Sequence, residues 1–126
     1  MEKKIVATNA APAAIGPYSQ AVIVGDLLIT SGQIPIDPAT GAFAEEDIVT
    51  QTHQSLTNVK NILAAAGFGL NDVVKTTVLL ADIADFAAMN AVYAEYFSEN
   101  KPARACFAVK DLPRGALVEI EAIAAK

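Results

Sequence analysis

Residues 73–80 have the sequence Val-Val-Lys-Thr-Thr-Val-Leu-Leu, and this stretch decides the fold class. Val and Thr favour extended structure, so residues 72–80 are predicted to form a β-strand. Successive side chains of a strand point to opposite faces of its sheet, and here apolar side chains fall on both faces. Residues 27–31, Leu-Leu-Ile-Thr-Ser, have the same two-sided pattern. The sheet that contains these strands therefore needs apolar cover on both faces.

Two predicted helices can cover one face of this sheet. The first spans residues 47–66, where apolar and small side chains recur at three- and four-residue steps. Acidic residues favour its N-terminal end, and Gly67 stops it. The second begins after Asp82, with Asp85 in a position similar to that of a capping box. Its predicted apolar stripe consists of Phe86, Met89 or Asn90, Tyr93 and Phe97.

The remaining strands are predicted from short apolar runs bounded by Gly, Pro and Asp. They lie at residues 3–7, 21–24, 103–109 and 117–124, with Gly25-Asp26 as a two-residue hairpin turn after the second run. The element order is β-β-β-α-β-α-β-β, an α+β domain, and the chain order alone favours a hairpin between the last two strands. No third layer remains for the second face of the sheet, so self-association is the simplest way to bury it.

The composition indicates a single soluble domain that covers residues 1–126. Hydrophobic residues make up 53% of the chain and charged residues 18%, against roughly 45–50% and about 25% in typical soluble domains. A net charge of −5 argues against a nucleic-acid partner. No apolar run reaches the roughly 18 residues of a membrane span, and the charged start lacks a signal segment, so a cytoplasmic protein is expected. The single cysteine and single histidine exclude an intrachain disulfide and the usual zinc ligand sets.

Arg104 is the first candidate functional residue, because it interrupts a segment of small and apolar residues. A guanidinium that loses hydration needs an anionic partner. Two interpretations remain open: an ion pair with Glu119 or Glu121, or a fork left free for the carboxylate of a ligand. The two glutamates alternate with apolar residues and share a face. A solvated face is expected for at least one of them, while the other could act as a base or position a water molecule.

The other polar candidates are less specific when taken alone. Cys106 shares a strand face with Arg104, and a lone cysteine in an apolar strand is more often a small core residue than a nucleophile. His53 is expected on the helix surface without a catalytic role, so a nucleophilic triad has no support. Tyr18 and Ser31 each adjoin a turn or a strand end. These residues alone predict no activity.

Motifs along nearly the whole chain resemble the RidA/YjgF family. The N-terminal ones are Gly-Pro-Tyr-Ser-Gln-Ala at residues 16–21 and Ser-Gly-Gln-Ile-Pro at 31–35, followed by Asn-Val at 58–59 and Ala-Ala-Gly at 65–67. The C-terminal signature combines Pro-Ala-Arg-Ala-Cys at 102–106, Leu-Pro at 112–113 and Val-Glu-Ile-Glu-Ala-Ile-Ala at 118–124. This last group, with its spacing, is highly specific.

The resemblance implies a homotrimer of chorismate-mutase-like α+β subunits. In that arrangement two helices cover the outer face of each mixed sheet, the sheets line a central β-barrel, and three clefts lie between subunits. It also places the last strand in the middle of the sheet, not in a hairpin. The implied activity is that of a 2-iminobutanoate/2-iminopropanoate deaminase, a hydrolase that needs no cofactor and no metal. Its imine substrates, with their enamine tautomers, are released by pyridoxal-phosphate dehydratases that act on serine or threonine.

The resemblance also implies roles for individual residues. Arg104 would hold the substrate carboxylate, and Glu119 the attacking water. The cleft would further be lined by Tyr18, Ser31 and Asn90, with Gly32 and Cys106 at its wall through backbone groups. Residues 98–101 form a shorter segment than in some relatives, which leaves the preferred imine open. The alternative to an enzyme is a trimer that binds small carboxylic acids without turnover.

Overall fold

The computed structural model describes all 126 residues and confirms the predicted α+β class and element order. Six strands form one mixed sheet, and two α-helices cover one of its faces. The strands are β1 (Lys3–Val6), β2 (Ala21–Val24), β3 (Leu27–Thr30), β4 (Val73–Leu80), β5 (Ala103–Ala108) and β6 (Val118–Ala125), and the helices are α1 (Ile48–Ala65) and α2 (Phe86–Tyr96). Neither helix combines the length and the apolar character needed to cross a lipid bilayer.

The strand order is β1-β2-β3-β6-β4-β5, so the last strand lies in the middle of the sheet. It is antiparallel to both neighbours, whereas β5 runs parallel to β4 at the sheet edge. The hairpin expected from chain order between the last two strands is therefore wrong, and the position implied by the family resemblance is confirmed. The physical reason is burial: Val118, Ile120, Ala122 and Ala124 of β6 are almost fully covered, which requires a neighbour on each side and a helix above.

The helix boundaries follow the sequence signals closely. Asp47 caps α1 by accepting the Thr50 N–H at 2.8 Å, and Gly67, with φ 81°, ends it as predicted. The second boundary differs from the prediction. Asp82 accepts the Ala84 N–H at 2.9 Å and caps a short 3₁₀ turn, and Asp85 makes no capping bond. This tighter turn moves the start of α2 to Phe86.

The helix-covered face of the sheet holds the hydrophobic core. Side chains of α1 at Leu56, Val59, Ile62 and Leu63 are fully buried together with Met89 of α2 and the inward residues of β4 and β6. The opposite face is open. The strand register places Ile5, Val22, Ile29 and Ile123 in one row across it. The surplus apolar face predicted from the sequence is therefore present in the single subunit.

Gln20 fixes the loop that precedes β2. Its side chain is 4% exposed, and its Nε2 donates to the carbonyl oxygens of Thr8, Ala11 and Pro12 at 3.0, 3.3 and 2.7 Å. Its Oε1 accepts the N–H of Thr8 at 2.7 Å. One side chain thus satisfies several backbone groups of a turn-rich segment that has no regular structure of its own.

We expect Gln20→Leu to lower the free energy of unfolding by about 2–4 kcal/mol, because it leaves part-buried carbonyl oxygens without donors. The control is Asn61→Ala, which removes a single exposed hydrogen bond, 2.9 Å long, to Ala10 of the same loop and should cost less than about 1 kcal/mol. Urea denaturation at one protein concentration measures both. Equal losses would show that Gln20 is not the main tether of the loop.

Candidate active site

Arg104 lies on the helix-covered side of β5 and is held in place from several directions. Its Nη1 donates to Asn90 Oδ1 of α2 at 2.7 Å. Its guanidinium carbon lies 4.7 Å from the centre of the Tyr93 ring and 5.5 Å from that of Phe86. The Tyr93 hydroxyl is in turn hydrogen-bonded to the buried Thr76 hydroxyl at 2.7 Å. The orientation of the guanidinium is therefore set before any ligand arrives.

Arg104 has no carboxylate partner in the chain. The only basic and acidic side chains within 4.0 Å of each other are His53 and Glu95. An ion pair with Glu119 or Glu121, one of the two interpretations left open by the sequence, is therefore absent within the subunit. The guanidinium instead lines an open cavity of about 450 Å³, together with Asn90 and Lys101. A fixed cation with unused donors at a cavity wall is suited to bind a carboxylate.

Glu119 lies near the start of β6 and is half-buried. Burial raises the pKa of its carboxyl group, and the nearby charge of Glu121 raises it further. Gly32 packs directly against this carboxylate, and a Cβ at that position would overlap it. Glu119, Gly32 and Tyr18 line one cavity of about 540 Å³, in which Arg114 is the other charged residue.

The register of the sheet separates Arg104 from Glu119. Across β4, Arg104 is paired with Thr76 and Glu119 with Leu79. Thr76 and Leu79 are three residues apart, and an odd separation on a strand places side chains on opposite faces. Arg104 therefore points toward the helices and Glu119 toward the open face. A single chain does not bring these two candidates into one pocket.

Ser31 and Cys106 are close in sequence to residues of the two cavities: Ser31 precedes Gly32, and Cys106 follows Arg104 by two positions. The Ser31 hydroxyl donates to the Ser19 carbonyl oxygen at 2.5 Å, which fixes the segment that carries Tyr18. Cys106 lies two residues after Arg104, on the same face, and packs against the core. Burial raises the pKa of its thiol, and the charge of Arg104 only partly opposes this. A raised pKa disfavours the thiolate, which is the nucleophilic form of cysteine.

His53 lines neither cavity. Its Nδ1 lies 2.9 Å from the Tyr96 hydroxyl, where α1 meets α2. Its side chain is 41% exposed, which agrees with the predicted surface location.

The structure adds three residues to the site. Tyr93 and Phe86 were identified from the sequence only as part of an apolar stripe, yet both rings contact the Arg104 guanidinium. The helical spacing places Tyr93 on the same face as Asn90, but only the parallel pairing of β5 with β4 brings Arg104 to that face. Arg114 lines the cavity of Glu119, and its loop position gave no signal in the sequence beyond the rarity of arginine.

Comparisons with known proteins agree on one family over essentially the whole chain. The family model described as endoribonuclease L-PSP matches residues 8–126. A RutC family protein of Pyrococcus horikoshii is 57% identical over 124 residues, which cover 98% of each chain. A 2-iminobutanoate/2-iminopropanoate deaminase of Salmonella typhimurium is 54% identical over 126 residues, again 98% of each. The crystal structure of the YjgF gene product from E. coli matches with a TM-score of 0.94 at 50% identity, over 98% of each chain.

The raised pKa of Glu119 predicts a stability effect with a definite sign. The Glu119 carboxyl group keeps its proton to a higher pH in the folded chain than in the unfolded chain. The stability that the protonated group contributes is therefore complete at low pH and is lost as pH rises through the pKa of the folded state. Gln resembles the protonated carboxyl group. Glu119→Gln should therefore unfold at higher urea concentration than the wild type at pH 7, with little difference at pH 4.

The control for this comparison is Glu99→Gln, which removes an exposed carboxylate and should show no such gain at pH 7. A Glu119→Gln protein that is no more stable than the wild type at pH 7 would contradict the assigned effect of burial.

Proposed function

Since the chain belongs to the endoribonuclease L-PSP family, which includes the RidA/YjgF proteins, we propose that it hydrolyses reactive 2-imino acids to 2-oxo acids and ammonia. The relative named 2-iminobutanoate/2-iminopropanoate deaminase supports these two imines, with their enamine tautomers, as substrates. The observation that carries the proposal is the Arg104 guanidinium, held by Asn90 and Tyr93 and left without a carboxylate partner.

A 2-imino acid carries its carboxylate on the carbon next to the reacting centre. The planar guanidinium of Arg104 can bind that carboxylate through two parallel hydrogen bonds, which fixes both the position and the plane of the substrate. Because Asn90 and the Tyr93 ring already orient Arg104, little side-chain freedom is lost on binding. Binding of the carboxylate therefore also orients the imine carbon for attack.

Hydrolysis then needs an oriented water molecule and a base. An iminium carbon is already electrophilic, and the raised pKa of Glu119 makes its carboxylate a stronger base than an exposed glutamate. The water oxygen adds to the imine carbon as Glu119 takes one proton. That proton passes to the nitrogen. Glu119 then takes the remaining hydroxyl proton as the C–N bond breaks, so that ammonia leaves and the carbonyl group forms, and this last proton passes to the ammonia or to solvent. The proposal includes no cofactor and no metal.

The proposal also includes a homotrimer in which neighbouring subunits complete each site. Arg104 and Glu119 lie on opposite faces of one sheet, so a small substrate reaches both only where two subunits meet. The exposed apolar row on the open face supports self-association, with Ile29 39% and Ile5 66% exposed in the single subunit. In this arrangement one subunit supplies Tyr18, Ser31, Gly32 and Glu119, its neighbour Asn90, Arg104 and Cys106, and the open sheet faces line a central barrel.

Two other functions fit the chain less well. A trimer that binds carboxylic acids without turnover would bind 2-oxobutanoate but would not accelerate the loss of iminobutanoate. A nuclease, as the family description names it, would have to hold a polyphosphate backbone with a chain of net charge −5. Release of 2-oxobutanoate from freshly generated iminobutanoate separates the proposed enzyme from both.

We expect Arg104→Ala to remove nearly all imine hydrolysis while the protein stays folded. Charge-assisted hydrogen bonds contribute ~1.5–3 kcal/mol each, so the loss of two implies a decrease of kcat/KM of about a hundredfold or more. Arg104→Lys keeps the charge but not the planar fork, and should recover only part of the activity. Initial rates of 2-oxobutanoate release measure the activity of these variants, and thermal melts show whether they stay folded. A folded and fully active Arg104→Ala protein would refute the assigned role.

The shared site predicts complementation between two inactive variants. Arg104→Ala and Glu119→Gln subunits, unfolded together, mixed equally and refolded, should form trimers in which about a quarter of the interfaces carry both intact residues. Activity should therefore return to about a quarter of the wild-type value. The two variants refolded separately serve as controls, and light scattering checks that each forms a trimer. Mixed trimers without activity would show that each site lies within one subunit.

A further inference from the structure

Arg114, like Arg104, lines a cavity, lies over an aromatic ring and has no carboxylate partner. Of the nine basic side chains other than histidine, only these two are arginines, and each lines a cavity together with other candidate site residues. Each guanidinium also lies over an aromatic ring: that of Arg114 is 5.3 Å from the centre of the Phe43 ring. Neither arginine has a carboxylate within 4.0 Å. Arg114 is therefore an exposed cation that lies over an aromatic ring and has no anionic partner.

The backbone at Arg114 is one that arginine seldom adopts. Arg114 has φ 57° and ψ 22°, and is the only residue other than glycine with a positive φ. The turn is closed by hydrogen bonds of 3.2 Å from Gly115 N–H to Leu112 O and from Ala116 N–H to Pro113 O. Gly or Asn would occupy this left-handed position at lower cost.

The wall of the Glu119 cavity is largely apolar, with Gln33 and Tyr18 as its uncharged polar side chains. Its lining includes Ile15, Ile34 and Ile36, and its two charged residues are Glu119 and Arg114. In the proposed site, where Arg104 binds the C1 carboxylate and Glu119 the water, a substrate side chain that extends into this cavity meets Arg114. A second carboxylate there would be repelled by Glu119 and attracted by Arg114. Arg114 is the one positive group in the cavity lining that can offset that repulsion.

We propose that Arg114 is a second carboxylate-binding residue, which extends the substrate range to 2-imino acids of four or five carbons with a carboxylate at the end of the side chain. The inference rests on the proposed function. The reaction is the same: water adds to the imine carbon, the nitrogen leaves as ammonia, and the second carboxylate takes no part in bond making. Arg114 sets which imines bind, while Arg104 and Glu119 carry out the step.

The test compares the binding of two stable products, 2-oxoglutarate and 2-oxobutanoate, by titration calorimetry. In Arg114→Asn the preference for 2-oxoglutarate over 2-oxobutanoate should fall by about tenfold, the effect of losing one solvent-accessible charge-assisted hydrogen bond. Asn tolerates the left-handed backbone, so this variant should fold. Arg114→Lys should restore part of the preference. Lys60→Ala, which removes an equal charge from the exposed face of α1, should leave it unchanged.

Three results would overturn the proposal: no measurable binding of 2-oxoglutarate to the wild type, an unchanged preference in Arg114→Asn, or an equal loss of affinity for both ligands. The last would indicate general attraction of anions and not recognition of the second carboxylate. The deaminase assay is separate. Failure to release 2-oxobutanoate from iminobutanoate would refute the proposed function. A wild-type protein that is active on iminobutanoate but does not prefer 2-oxoglutarate over 2-oxobutanoate would refute this inference alone.

Discussion

The insertion of β6 between β3 and β4 is the constraint on which the rest of the structure depends. Through β3 it brings Glu119 against Gly32, where the lack of a side chain leaves room for a carboxylate. Through β4 it leaves β5 at the sheet edge, held by parallel pairing on one side only. An arginine on that edge strand reaches α2 and stacks on its aromatic rings. Both halves of the candidate site therefore follow from where one strand lies.

Both arginines of the chain lie at the walls of the cavities where we propose that a small anion binds. The protein is acidic overall, with a net charge of −5, yet its two guanidinium groups lie at cavity walls over aromatic rings. Aromatic rings restrict a guanidinium without neutralising it, whereas a carboxylate partner would do both. This arrangement keeps each arginine oriented and still able to bind an anion.

The sequence predicts the local features of the fold well because local interactions cause them. The cap at Asp47, the stop at Gly67 and the turn at Gly25-Asp26 depend on residues a few positions apart. Strand order depends on pairings between distant segments, so chain order alone placed β6 beside β5 and only the family motifs corrected it. The motifs likewise identified Arg104 and Glu119 as candidates. That these two lie on opposite faces depends on the register of both with β4, which no local pattern encodes.

The raised pKa of the Cys106 thiol has a consequence for how fast this cysteine is oxidised. Oxidants such as peroxide attack the thiolate form of cysteine, and the first product, a sulfenic acid, leads on to irreversible oxidation. Burial holds the Cys106 pKa above its ordinary value, which keeps the thiolate fraction low even with Arg104 nearby. A raised thiol pKa therefore favours slower oxidation of the single cysteine, beside the candidate substrate-binding residue Arg104, than of an exposed cysteine with an ordinary pKa.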